Sequence, residues 1–320
     1  MGNTITDEQE SIAFLGEEFL FDAVNLAIQA FGCGVFLAGF GVAIQLMLTK
    51  AWTRSVRVLF ICLVVIFIAF ACELLVVAGS DLNQISGILI ATSQNELSAR
   101  IDTDNTSFLK WEYPYSWPFN INLLLSDSIV VWRAWILSEE KKIWRVILVA
   151  LLIINIGINV ADCIFIDIEI TQEIEGSSVI DWASIGFSLA VNACATSLIA
   201  WRYWNYHHFL KKHWQKAESN KRSHAQNILL LLIESGAIFC GVQLLSMIMV
   251  IIRSTRGQDL NVEIADGIVT TVLSVVTSWY PVAVIILVSK DYLVGVETFH
   301  HAAETQMANN FTPSAQPTPD

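Results

Sequence analysis

Apolar and polar positions along this chain separate into long blocks. Seven apolar runs lie at roughly Ala23–Leu48, Val56–Gly79, Phe119–Leu137, Ile143–Ile166, Trp182–Tyr203, Gln226–Ile252 and Ile264–Ser289, divided by short polar connections. About 20 mostly apolar residues suffice for a helix to cross a bilayer. A helix is the one open-chain structure that satisfies its own backbone in lipid, and these runs are too long for barrel strands. The pattern therefore predicts an all-α membrane protein, a seven-transmembrane helix bundle over 23–289. An acidic extracellular N-terminal tail over 1–22 and a cytosolic tail over 290–320 flank it. The tail is expected to be disordered from about residue 301, where it is polar and carries Pro313, Pro317 and Pro319.

Composition agrees with this reading. Hydrophobic residues make up 54% of the chain and charged residues 15%, where a soluble domain has about a quarter charged. Such a surface excludes a nucleic-acid binder and a soluble enzyme. The net charge of −12 is unevenly placed. Fourteen Lys and Arg fall on one side of the seven-segment topology, among them Lys50, Arg54, Arg133, Lys142 and Lys211, and four on the other: Arg100, Lys110, Arg253 and Arg256. Basic residues accumulate on the cytosolic side. This predicts the N-terminus and even connections outside and the C-terminus in the cytosol. No basic residue precedes Lys50, so the N-terminal stretch lacks the charged start of a cleavable signal.

The connection from Ser80 to Trp117 is the longest outward one, and its aromatics Trp111, Tyr113, Tyr115 and Trp117 read either as a lid or as an aromatic belt. Within it, Asn105-Thr106-Ser107 is a glycosylation sequon, which makes Asn105 the expected acceptor and agrees with the orientation. A second match, Asn310-Phe311-Thr312, falls in the cytosolic tail. Passage through the secretory route points to a multi-pass protein of the plasma membrane in contact with lipid.

Candidate chemistry rests on acids at membrane depth. Asp127 lies near the middle of the third segment and Glu73 in the outer third of the second. Asp162 lies near the outer end of the fourth, and Glu234 in the inner third of the sixth. No Lys or Arg lies at the same depth, so these acids read as functional candidates or as polar glue between helices. Asn159 joins Asn155 and Asp162 on one helical face, and Thr277 joins Thr270, Ser274 and Pro281 on another. Asp127, Glu73, Asp162, Asn159, Glu234 and Thr277 are thus the expected ligand-binding set. Ala30, Gly34 and Ala38 form a small-residue stripe that predicts close packing by the first helix.

Other chemistries find no residues. A retinal-type Schiff base needs a mid-membrane lysine, absent from the seventh segment. All six histidines fall in cytosolic connections or the tail, and all six cysteines fall within the segments. The expectation is therefore no metal, no cofactor, no enzymatic activity and no nucleic-acid partner. Arg133 and Arg202 end the third and fifth segments between tryptophans. They read either as snorkelling anchors or as contacts for a cytosolic signalling protein.

Three stretches carry a resemblance: Ser126-Asp127-Ser128-Ile129-Val130-Val131-Trp132-Arg133-Ala134-Trp135, Glu234-Ser235-Gly236-Ala237, and Tyr280-Pro281-Val282-Ala283-Val284-Ile285-Ile286-Leu287-Val288. With them the chain resembles a large, uncharacterised family of seven-helix membrane proteins from mushroom-forming fungi. The resemblance implies a receptor-like topology and assigns no chemistry. The topology is also similar to that of G-protein-coupled receptors. Trp132-Arg133-Ala134 stands where those carry Asp-Arg-Tyr, and Tyr280-Pro281 is all that stands for Asn-Pro-x-x-Tyr. The expected function is a receptor-like protein that senses a small extracellular ligand and signals through cytosolic loops. A cation or proton transporter and a ligand-free scaffold are the alternatives.

Overall fold

A computed structural model of the chain describes residues 2–49, 54–86, 97–137, 142–172, 179–213, 219–256 and 260–310. They form seven helices: α1 (Gly2–Leu48), α2 (Arg54–Ile85), α3 (Leu97–Leu137), α4 (Lys142–Gln172), α5 (Val179–His213), α6 (Ser219–Arg256) and α7 (Leu260–Asn310). No strand occurs among the described residues.

Printed contacts fix the directions. α1 packs against α2 through Phe36 on Phe70, with ring centroids 5.4 Å apart, and through Gln29 on Glu73. α3 meets α4 from Trp117–Asp167 to Trp135–Arg145. α6 meets α7 from Phe239–Tyr280 to Arg253–Asp266. In each pair one number rises as the other falls, so successive helices run antiparallel. The end where α1, α3, α5 and α7 begin is called the near end, and the other the far end.

Six helices are long and apolar enough to cross a membrane: 19–48, 56–85, 142–169, 180–205, 230–255 and 260–287. This is the architecture of an integral membrane protein. The seventh expected span, on α3, does not meet the same measure. Its segment carries Asn120, Asn122, Ser126, Asp127, Ser128 and Arg133. The reason is its position. α3 packs against α2, α4, α5 and α7, and most of its side chains from Ser116 to Ala134 are at least half buried. A helix wrapped by other helices needs no lipid-compatible face.

Several boundaries differ from those the sequence suggests. Residues 2–22 are helical and continuous with the rest of α1, and α7 continues past 301 to Asn310. Neither stretch holds a proline to end the helix, and the first one after Pro281 is Pro313. The long connection from Ser80 to Trp117 shrinks because α2 extends to Ile85 and α3 starts at Leu97, which places Asn105 within a helix. The side chains of Asn105, Trp111, Tyr113 and Tyr115 lie outside the described ones. So does the sequence from 311 on.

The small-residue stripe is also placed otherwise. Ala30, Gly34 and Ala38 face away from the bundle, and a methyl added at Gly34 meets nothing within 4 Å. Close approach occurs one face over, along Gln29, Gly32, Phe36, Gly39 and Ala43. A Cβ on Gly32 would lie 2.5 Å from Val275, and one on Gly39 would lie 2.8 Å from the Trp279 ring. The two glycines let α1 lie against α7. On α6, a Cβ on Gly236 would lie 2.8 Å from Thr196 Oγ1 of α5.

Candidate functional site

Each helix brings buried polar residues to one depth of the bundle. Asp127 on α3 is the centre of the larger group. Asn155 on α4 donates to its Oδ2 at 2.7 Å, and Ser188 on α5 donates to the same oxygen at 2.7 Å. Asn192, one turn along α5, donates to Oδ1 at 2.6 Å. Asn192 also donates to Gln243 on α6 at 3.0 Å, and Gln243 donates to Ser188 at 2.8 Å. Asp127, Ser188, Gln243 and Asn192 therefore close a ring. Asn159 donates to Asn155 Oδ1 at 3.0 Å, which supports the amide that reaches Asp127. The spacing explains the geometry. Positions 155 and 159, like 188 and 192, differ by one helical turn and share a face. Every one of these side chains is buried. The bonds converge on the Asp127 carboxyl, which offsets the cost of holding it away from water.

Glu73 is the centre of a second group. Gln29 on α1 donates to its Oε1 at 3.3 Å, and Ser274 on α7 donates to the same oxygen. Glu73 Oε2 is buried without a hydrogen-bond partner. The two groups lie at one level. Phe239 stacks on Tyr280 at 4.7 Å, which places Gln243, one turn nearer the near end, alongside the 274–277 turn of α7. Thus α3, α4, α5 and α6 are knit through Asp127, and α1, α2 and α7 through Glu73.

Polar contacts join these halves near each end. At the far end the Arg133 guanidinium of α3 donates from Nη2 to the Tyr280 hydroxyl of α7 and sits 5.2 Å from that ring's centre. Arg133 is only 5% exposed, and its Nε and Nη1 have no hydrogen-bond partner. The sequence offers it as a boundary anchor or a partner contact. The side chain instead turns inward, because its face of α3 is the face that meets α7. At the near end Arg253 of α6 pairs with Asp266 of α7 at 3.1 Å.

The other expected site residues disperse. Asp162 accepts from Ser184 at 2.9 Å and lies nearly two turns from Asn155 on α4, nearer the near end. Glu234 is exposed on the outer side of α6, apart from the buried positions Leu232, Gly236, Phe239, Gln243 and Ser246. It joins neither polar group. Thr277 is fully buried, and its hydroxyl has no partner. Arg202 is half-buried. The sequence reading missed Gln29, Ser188 and Gln243 as members. Their signal was available: Gln29 repeats with Gly32 and Phe36, and Gln243 repeats with Gly236 and Phe239. Among the described residues no group of three or more His, Cys, Asp or Glu is placed to hold a metal.

Compared with protein-family models, with curated proteins and with solved structures, the chain matches none.

Proposed function

We infer that the chain is a receptor-like seven-transmembrane protein, with the near end outside and the far end in the cytosol, in which a ligand at the near end changes the clasp at the far end. The observation that carries this reading is Arg133. A guanidinium buried among helices costs several kcal/mol unless it is well paired. Here a phenol is its hydrogen-bond partner, and two donor atoms remain unused. The clasp closes the bundle with little to spare and releases a strongly solvated group when it opens. A two-state element of this kind is what a signal across a membrane requires. α3 serves as the seventh span, its polar flanks covered by its neighbours. The basic residues at the far end support the cytosolic assignment. There, opening would expose Arg133, flanked by Trp132 and Trp135, to a signalling protein. The resemblance to the fungal seven-helix family supports the same class, and the plasma membrane follows from the topology of an outward sensor.

Asp127 enters this reading as the fixed point of one half and not as a ligand's counter-ion, since its carboxyl already accepts three bonds. Spin labels at Ile136 on α3 and Leu48 on α1, both exposed near the far end, test the clasp. Tyr280→Phe removes the hydroxyl and keeps the ring, so the distance between labels should broaden and lengthen. An unchanged distribution would overturn the clasp. The second reading, a cation path, is favoured by the unpartnered Glu73 Oε2 between the halves. Proton or sodium flux into proteoliposomes holding the unmodified chain would replace the receptor with that transporter.

A further inference from the structure

The stretch Glu234-Ser235-Gly236-Ala237 on α6 has no part in the two polar groups or in the clasp. It is divided between two faces of its helix. Gly236 packs on Thr196, and Leu232, Phe239, Gln243 and Ser246 lie along the same buried side. At 100° per residue, Glu234, Ala237, Gly241, Leu245 and Ile248 all fall within about 40° of the opposite direction. All five are exposed, and a methyl added at Gly241 meets nothing within 4 Å. α6 packs chiefly against α5 and α7, so this stripe looks out of the bundle, away from both. It lies within the span 230–255 and therefore faces lipid.

Two independent features of the stripe call for a partner. The first is shape. Ala237 and Gly241 are small residues four apart, the spacing that lets two helices approach closely in a membrane. The second is Glu234. It lies four residues, about 6 Å, inside the span that begins at Leu230. Exposed Leu230 and Leu231 stand between it and the far end. Acids at membrane depth turn to the bundle interior or pair with another group, and Glu234 does not turn inward. The outward stripe of α1 at Ala30, Gly34 and Ala38 is similar in shape but carries no ionisable residue. A second copy of the chain brings what Glu234 lacks. Both copies insert with the same orientation, so two α6 stripes meet in parallel about a two-fold axis along the membrane normal, and Glu234 faces Glu234. A carboxyl group with its proton is both donor and acceptor, so two of them complete each other across that axis. We propose that the outward face of α6 is a self-association surface, on which Ala237 and Gly241 of two copies touch and their Glu234 carboxyl groups hydrogen-bond. Neither the clasp nor any signal enters this inference.

The test is energy transfer between donor-tagged and acceptor-tagged copies of the full chain in liposomes, as added lipid dilutes the protein. Transfer should exceed that of randomly placed chains and fall with dilution as a dimer dissociates. Glu234→Leu should weaken association roughly five- to tenfold, the weight of two interhelical hydrogen bonds. Gly241→Ile should abolish it by holding the helices apart, while Gly34→Ile on α1 should leave it unchanged. All three positions are exposed, so each variant should melt no lower than the parent at high dilution. Random transfer by the unmodified chain at every dilution would show that lipid covers the face and Glu234 reaches the headgroups, and would overturn the proposal. Association that survives either α6 variant at full strength, or that is lost with Gly34→Ile, would overturn it as well.

Discussion

At the scale of single residues, cost follows from what each polar group leaves behind. Truncating Asp127 to Ala strands the Asn155, Ser188 and Asn192 donors in a dry interior. Interhelical hydrogen bonds in membrane proteins average ~0.6 kcal/mol, so three lost bonds predict a loss of about 2 kcal/mol. Asp127→Asn retains an acceptor oxygen and should lose about half as much, as measured by unfolding in mixed micelles. Equal losses for the two variants would mean that the carboxyl's shape matters and its bonds do not. Arg133 predicts the opposite sign. Replacing both members of a buried charged pair by apolar side chains of similar volume is often neutral or stabilising, by roughly 1–4 kcal/mol. The double variant Arg133→Met with Tyr280→Phe should therefore raise the melting temperature, with a fall in melting temperature showing that the clasp stabilises the bundle. Glu234 faces outward, so Glu234→Leu should leave the bundle's melting unchanged or raise it. A lower melting temperature would show that Glu234 is bonded within the fold.

The sequence shows residue chemistry better than it shows direction. Asp127, Glu73, Asn159 and Thr277 were visible as costly polar positions in apolar runs. Glu234 was equally visible and points the other way. A single acid tells its depth along a helix but not its azimuth, unless a buried polar or small residue repeats with it. Asn155, Asn159 and Asp162 have such a repeat, and Glu234 has none.

At the scale of the helix, glycine positions decide which pairs of helices approach. Gly39→Ala would drive a methyl to 2.8 Å from the Trp279 ring, and Gly236→Ala to 2.8 Å from Thr196. Overpacking of this sort costs about 1–3 kcal/mol. Gly34→Ala and Gly241→Ala meet nothing within 4 Å. Those two should stay within ~0.5 kcal/mol of the parent. The contrast within α1 is the sharper check, since Gly34 and Gly39 share residue type and helix. The misplacement of the small-residue stripe has the same origin. Spacing of four identifies a face but not which face turns inward, and Gly32 and Gly39, seven apart, form the stripe that packs. Helix ends were legible only where prolines or charges intervene. The acids of 1–22 do not stop a helix, so α1 begins at Gly2.

At the scale of the molecule, all seven helices read as spans in the sequence, and six of them have the length and apolar character that lipid demands. α3 shows the limit of that rule. Burial by protein releases a helix from it, and a polar run then reads as a poor membrane segment although it occupies the interior. The division into halves was not legible. It depends on contacts between helices far apart in sequence, such as Arg133 with Tyr280 and Glu73 with Ser274, which no periodicity within one helix reveals. If the halves move as bodies, disulfides engineered between α3 and α4 should leave a response intact, while one between α3 and α7 should abolish it. Loss of the response with both cross-links would show that motion is spread through the bundle.

The bond from Glu73 to Ser274 spans 201 residues of chain. During synthesis α2 enters the bilayer long before its partner exists. At about 5–20 residues per second, the interval is roughly 10–40 s. Throughout it, Glu73 and Gln29 have each other and the insertion machinery, but no helix 7. The acid that finishes the bundle thus marks every unfinished copy. Nascent chains halted before α7 should be held at the translocon or destroyed, and Glu73→Leu should let them escape that surveillance.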